Sequence, residues 1–341
     1  MRWIVKAALQ KGMSALPASE SVNYLFQQHV TRSLPPPEST FRKKFSRALK
    51  HIAAYREHGP NRGLGEAVFY EFGAGWDLAV QLSYWSLGAD SQILVDIRPN
   101  LRLALVNETL RRLARLRPEL EEEAGRPVRD PGAEEIGSIA ELASRFGIEY
   151  LAPRDARATG LAAGSIDFVS STNTLEHVPA GDIVPMLAEC RRLLREDGVL
   201  SSHIDLRDHY SYFDPSISVY NFLRYGERSW RWLSSDLLYQ NRLRRPAYTA
   251  AFGEAGFAVV SEEAAGPGAA DIAALEAMPI APAFRPYSPQ ELGVQGLDLI
   301  ARPVPAGSPD AFEQAEDVGR RRGPGIGLGA LPDRGRLGDE R

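Results

Sequence analysis

The sequence predicts an α/β protein: a doubly wound, mostly parallel seven-stranded sheet behind a helical N-terminal extension. Three observations carry that expectation. The stretch Ala67-Val-Phe-Tyr-Glu-Phe-Gly-Ala-Gly-Trp-Asp77 reads as a buried strand running into a glycine turn and then a helix. Such a turn brings bare backbone N–H groups and a helix N-terminus up against a ligand. Further along, short apolar runs alternate with amphipathic stretches, which implies a parallel sheet with helices on both faces. Finally, 341 residues with 44% hydrophobic and 25% charged side chains are ordinary globular values and allow one large domain with additions.

Taken in order, residues 1–65 read as the helical extension, and Gly59-Pro-Asn-Arg-Gly-Leu-Gly65 punctuates the approach to the first strand. The main domain spans 66–303. Its strands are the run ending at Phe72, then Gln92–Asp96, Ile148–Leu151, Ser165–Ser171, Gly198–Asp205, Phe257–Val260 and Leu297–Ala301. Residues 101–147, rich in Leu, Arg and Glu, read as a crossover helix plus a helical insertion. The amphipathic stretch Val184–Arg195 is expected to stop at Glu196-Asp197-Gly198. The tail 304–341 is dense in Gly, Pro, Arg and Asp, has almost nothing to bury, and is expected to be disordered.

A net charge of −4 and a pI near 6.0 argue against general nucleic-acid binding, which normally shows as a basic surplus. The single cysteine, Cys190, excludes an intrachain disulfide and suits a reducing, cytoplasmic setting. Lys6 and Lys11 interrupt the N-terminus before any apolar run of signal length, and no stretch approaches the ~18 apolar residues of a spanning helix. Trp3, Ile4, Ala7 and Ala8 can share one face of a short helix. That helix is expected to pack on the main domain, with docking on a membrane surface as the lesser reading.

The glycine turn excludes one ligand class. A dinucleotide fingerprint needs Gly or Ala at position 78, where this chain has Leu78. Instead, Glu71 precedes Gly73 and Gly75. Asp77 either caps the following helix or meets a ligand's ammonium group. Asp96 ends the second strand, 23 residues after Gly73, where a carboxylate can accept two hydrogen bonds from a ribose diol; the lesser reading is an Asp that starts the turn before Arg98-Pro99. The third strand leads to Arg154-Asp155-Ala156, and the fourth runs Ile166-Asp-Phe-Val-Ser-Ser-Thr-Asn-Thr-Leu-Glu-His-Val-Pro179.

Those four segments, in order at four consecutive strand ends, resemble the class I S-adenosylmethionine-dependent methyltransferases, in particular the small-molecule branch called type 11. The resemblance covers about residues 65–205. It implies a Rossmann-like methyltransferase sheet and S-adenosylmethionine as cofactor. The cofactor site would comprise Glu71, Gly73, Gly75 and Asp77, then Asp96 with Ile97. Asp155 would face the adenine amino group, with an N–H from Ala156, and Thr172 and Asn173 would lie beside the sulfonium. His177, one turn beyond, is either catalytic or a structural hydrogen-bonding group.

Downstream, residues 206–250 are rich in aromatics, His, Asp, Asn and Arg. They resemble uncharacterised methyltransferases like those found with cell-surface polysaccharide genes, and read as an acceptor lid. Methyl transfer to a hydroxyl needs in-line alignment and a nearby base, and His is the usual choice. His209 is the first candidate, oriented by Asp208 or Asp205, and His177 the second. Arg224, Arg242 and Arg244 are candidates to hold an anionic group. His203, Asp205 and His209 raise a metal reading, but without a clear fourth ligand no metal is expected. The expected function is therefore methyl transfer to a small-molecule or glycan-like acceptor, at oxygen in preference to nitrogen. The competing reading is a catalytically silent cofactor-binding scaffold.

Overall fold

The computed structural model describes residues 3–14, 34–234 and 239–305. The expected tail therefore lies, but for its first two residues, outside the described residues. Seven strands form one sheet: β1 (Val68–Phe72), β2 (Ser91–Val95), β3 (Ile148–Leu151), β4 (Ile166–Thr172), β5 (Leu194–Asp205), β6 (Phe257–Ala265) and β7 (Gly296–Pro303). Their order is β3-β2-β1-β4-β5-β7-β6. The first five are parallel, and β7 runs antiparallel between β5 and β6. The strand order reverses between β1 and β4. In such sheets ligands bind beyond the carboxyl ends of the strands at that point, which puts the glycine turn after β1 and the tip of β4 at the site.

Helices cover both faces, as the alternation of runs predicts. On one face, α1 (Trp3–Ser14) takes no part; α2 (Glu38–His58), α3 (Ala79–Ser86), α4 (Leu103–Arg115), α5 (Arg117–Ala124) and α6 (Ala140–Phe146) do. Phe41, Phe45, Ile52 and Tyr55 of α2 pack with Leu82, Leu110, Leu120 and Phe146 against Phe69, Leu94 and Phe168 of the strands. The α2 helix of the N-terminal segment and the helices of 101–147 thus share one core with the sheet. On the other face, α7 (Ala180–Leu193) and α9 (Arg245–Glu254) cover Tyr70, Val95, Val169, Leu200 and Leu297. A third cluster joins Trp3 and Ala7 of α1 to Tyr210, Tyr220, Phe222, Trp230, on α8 (Glu227–Leu233), and to Leu275, on α10 (Ala269–Ala277). Leu292, on the short helix α11 (Pro289–Leu292), completes it.

Three local expectations are corrected. Gly198 is no helix stop: β5 already starts at Leu194, and a Cβ on Gly198 would lie 3.1 Å from the Asp167 carbonyl. β6 continues to Ala265 because β7 pairs with it along its whole length, and its exposed second half carries Glu262 and Glu263, charges that protect an edge strand. In α1 the apolar face divides: Trp3 and Ala7 are buried, whereas Ile4, Val5 and Leu9 face solvent. The helix packs on the 206–250 block through Trp3, whose ring lies 5.5 Å from Tyr210. Among the described residues no helix is long and apolar enough to cross a membrane.

Candidate active site

The turn after β1 is built on two glycines at positive φ. Gly73 (φ 74°) is crowded: a Cβ there would meet the Thr174 side chain at 2.4 Å. Gly75 (φ 76°) faces open space, and a Cβ there would meet no atom within 4 Å, so it leaves its backbone accessible from above. Beneath the turn Glu71 is fully buried and accepts a hydrogen bond from Ser170 Oγ at 2.8 Å. Burial pushes its carboxyl up to about 7, with the Ser170 bond pulling the other way. Asp77 accepts the Ala79 N–H at the start of α3 and pairs with Lys44 Nζ at 2.7 Å. Its carboxylate thus holds the first N–H of α3 and fastens α2 to the turn, while Leu78 occupies the cap position without a side-chain bond.

At the tip of β2, Asp96 is largely buried and its carboxylate accepts the Arg98 N–H at 3.4 Å, closing a short turn. Ile97, beside it, is 65% exposed. After β3, both oxygens of Asp155 are held by Arg157, which also reaches Asp182. Those bonds hold the Asp155 carboxyl below its usual range. The side chain expected at an adenine amino group is therefore committed to an ion pair, while Ala156 packs against the core of the second face. At the tip of β4, Thr172 Oγ1 lies 3.1 Å from His51 Nε2, and Asn173 takes the left-handed conformation with its N–H on the His203 carbonyl.

The second half of the site lies past the tips of β4 and β5. Leu175–His177 form a single 3₁₀ turn. Asn241 clamps it by donating to the carbonyls of Leu175 and Val178, and the Tyr239 carbonyl accepts from His177 Nδ1 at 2.7 Å. Gln240 braces the neighbouring loop by donating to the Arg207 carbonyl. These braces bring His177 and His209 together, ring centroids 4.9 Å apart. Asp205 Oδ2 stands 3.6 Å from His209 Nε2 and also accepts from Arg207 and Tyr212. Burial opposes ionisation of Asp205, but His209, Arg207 and Tyr212 outweigh it and hold the carboxyl well below the usual range.

Several sequence assignments change here. Asp208 does not orient His209: its oxygens accept from the Tyr210 N–H and from Asn221, and it is a buried hydrogen-bonding node. Asp205 takes the position beside the imidazole. His203 pairs with Asp298 at 2.8 Å, so the residues that converge are Glu176, His177 and His209 and not His203, Asp205 and His209. Arg242 and Arg244 are buried structural donors. The first bonds the carbonyls of Phe222 and Tyr225, the second those of Leu206, Leu292 and Val294. Arg224 alone of the three is exposed.

Three groups escaped the sequence reading. Glu176 is 1% exposed, with Oε2 lacking a hydrogen-bond partner among the described residues; burial, aided by Asp205, pushes its carboxyl well up. His51 is fully buried between Thr172 and Ser201, and burial lowers its pKa to about 3, so it is a neutral bridge from α2 to β4 and β5. Lys44 is the third. Glu176 sits inside the β4 signature and was visible there; Lys44 and His51 contact the site across more than thirty residues, with no local signal.

Residues 130–202, which run through α6, β3, β4, α7 and most of β5, match the family model of a methyltransferase domain. With the sheet order, that match defines a Rossmann-like, S-adenosylmethionine-dependent methyltransferase domain. The residues fit the cofactor: the open space over Gly75, the carboxylate of Asp96 and the left-handed Asn173 stand at the ends of β1, β2 and β4. Comparison with curated proteins finds no match.

Solved structures of similar fold include the 1,6-didemethyltoxoflavin-N1-methyltransferase of Burkholderia thailandensis, seen with 1,6-didemethyltoxoflavin and S-adenosylhomocysteine bound. It is 14% identical over 83% of this chain and 87% of that one, with a TM-score of 0.42. A SAM-dependent methyltransferase of Leishmania major is 14% identical over 88% and 82%, TM-score 0.42. Another from Methanosarcina mazei is 14% identical over 70% and 92%, TM-score 0.38.

Proposed function

We propose that this methyltransferase acts on a hydroxyl of a small or saccharide acceptor, with His209 taking the proton and Asp205 holding the resulting imidazolium. The observation that carries the reading is His209 itself. The residue is 8% exposed, its Nε2 has no hydrogen-bond partner among the described residues, and Asp205 faces it at 3.6 Å. A base must keep a lone pair for the incoming proton, and a neighbouring carboxylate stabilises the charge that forms. His177 is less suited, because its Nδ1 is fixed on the Tyr239 carbonyl and its ring reaches solvent.

Bound S-adenosylmethionine supplies an electrophilic methyl group on a positively charged sulfur. Gly73, Gly75, Asp96 and Asn173 would hold it, and Thr172, backed by His51, borders the reacting end. The 206–250 block closes the acceptor side, but Tyr210, Tyr220, Phe222, Tyr225 and Trp230 serve its own core. Tyr212, half exposed and bonded to Asp205, remains to meet an acceptor, whereas the rings of Phe213 and Trp232 face Lys6 and Lys11 of α1. The buried Cys190, whose thiol burial pushes up and away from reactivity, fits a cytoplasmic setting.

The test is release of S-adenosylhomocysteine with a panel of sugars and sugar nucleotides. His209→Gln is expected to lower turnover by about 10²–10⁴-fold while S-adenosylmethionine binding, read by calorimetry, stays as in the wild type. Unchanged turnover removes His209 as the base. Cofactor binding with no turnover on any hydroxyl acceptor favours the silent scaffold.

A further inference from the structure

The cluster beyond β4 has donors that proton transfer does not use. Glu176, His177 and His209 each present one ligand atom, and all three atoms lie within 4.8 Å of one another. Two of these side chains are nine-tenths or more buried and end in atoms without a hydrogen-bond partner among the described residues, Glu176 Oε2 and His209 Nε2. A buried polar atom without a partner is costly and calls for an explanation. The third donor is prepared in a different way. A carbonyl can only accept, so His177 Nδ1 carries the proton toward Tyr239, and its Nε2 keeps a lone pair. That is the outer bond a metal-bound imidazole ordinarily makes.

We propose that Glu176, His177 and His209 form a binding site for a divalent first-row transition ion of the zinc class. Two imidazoles and one carboxylate, with a fourth position open, are a donor set that zinc takes in sites accessible to ligands. Magnesium and calcium prefer all-oxygen shells and are disfavoured. The backbone around the cluster is fixed before any ion arrives. Asn241 holds the 3₁₀ turn through the carbonyls of Leu175 and Val178, and its own N–H bonds the Glu176 carbonyl. Asp205, already bonded to Arg207 and Tyr212, stands 3.6 Å from His209 Nε2 and adds a negative charge beside the ion.

Binding of the ion does not depend on methyl transfer, but it bears on the proposed role of His209. A His209 lone pair given to zinc cannot accept a proton, so the zinc-loaded protein is the inactive form. Occupancy of this site inhibits.

The experiment titrates the chelator-treated full chain with Co²⁺ and follows visible absorption, then displaces the cobalt with Zn²⁺. One ion per chain is expected, with the strong d–d bands of a four- or five-coordinate site and no competition from Mg²⁺. Glu176→Gln, His177→Gln and His209→Gln should each weaken binding about tenfold or more, and His58→Gln, outside the cluster, should not. A second readout needs no variant: in histidine-labelled wild type, ring nitrogens of two of the six histidines should shift on zinc addition. A spectrum no stronger than aqueous cobalt overturns the site, as does equal binding by Glu176→Gln and His209→Gln, or a shift of other histidines. Ion binding that leaves turnover intact keeps the site and overturns the role of His209 as base, so the two failures are distinguishable.

Discussion

Glu71 lies buried beneath the glycine turn, and its carboxyl is pushed up to about 7 by that burial. The sign of the resulting linkage is fixed. A carboxyl whose folded pKa exceeds its unfolded value near 4.5 holds its proton more tightly in the folded state. Its contribution to stability is complete below about pH 4.5 and is lost as the pH rises through about 7. Glu71→Gln removes the titration and retains an acceptor for Ser170. The wild type should therefore match the variant near pH 4 and fall behind it by as much as about 3 kcal/mol at pH 8, as measured by urea unfolding. Parallel pH curves for the two proteins would show that Glu71 ionises freely.

At the scale of elements, what the sequence disclosed and what it hid follow from range. The glycine turn, Asp96 and the β4 signature are local patterns, and each falls at the expected strand end. The role of α2 was not legible, because Lys44, Arg47 and His51 reach Asp77, Asp298 and Thr172 only in the folded chain. Charge type misled at Arg242 and Arg244, since a sequence states that a residue is cationic and not that it is buried. Arg244 is wholly inaccessible, and burial lowers its pKa to about 10. It joins the end of β5 to α11 through three carbonyls. Arg244→Met leaves those acceptors unpaired and should cost about 3 kcal/mol or more, seen as a lower calorimetric midpoint. Were Arg244 only a holder of an acceptor anion, the same change would spare stability and raise KM.

Across the whole molecule, the proposed cofactor site would be assembled from strand ends far apart in sequence, which would couple ligand binding to global stability. Any compound that binds the folded chain and not the unfolded one stabilises it by mass action, by about 2.7 kcal/mol at a hundredfold excess over Kd. S-adenosylhomocysteine should therefore raise the melting temperature by several degrees, and the size of the rise reports which strand ends take part. Asp96→Ala should abolish it if, as proposed, the carboxylate at the end of β2 accepts from the ribose diol. Asp155→Ala should keep most of it, because the Asp155 carboxylate is already bonded to Arg157. Each variant is compared with its own unliganded midpoint, which separates lost binding from lost stability. An equal rise in Asp96→Ala and the wild type would remove the tip of β2 from the site. Loss of the rise in Asp155→Ala would mean that the Arg157 pair opens when the ligand binds.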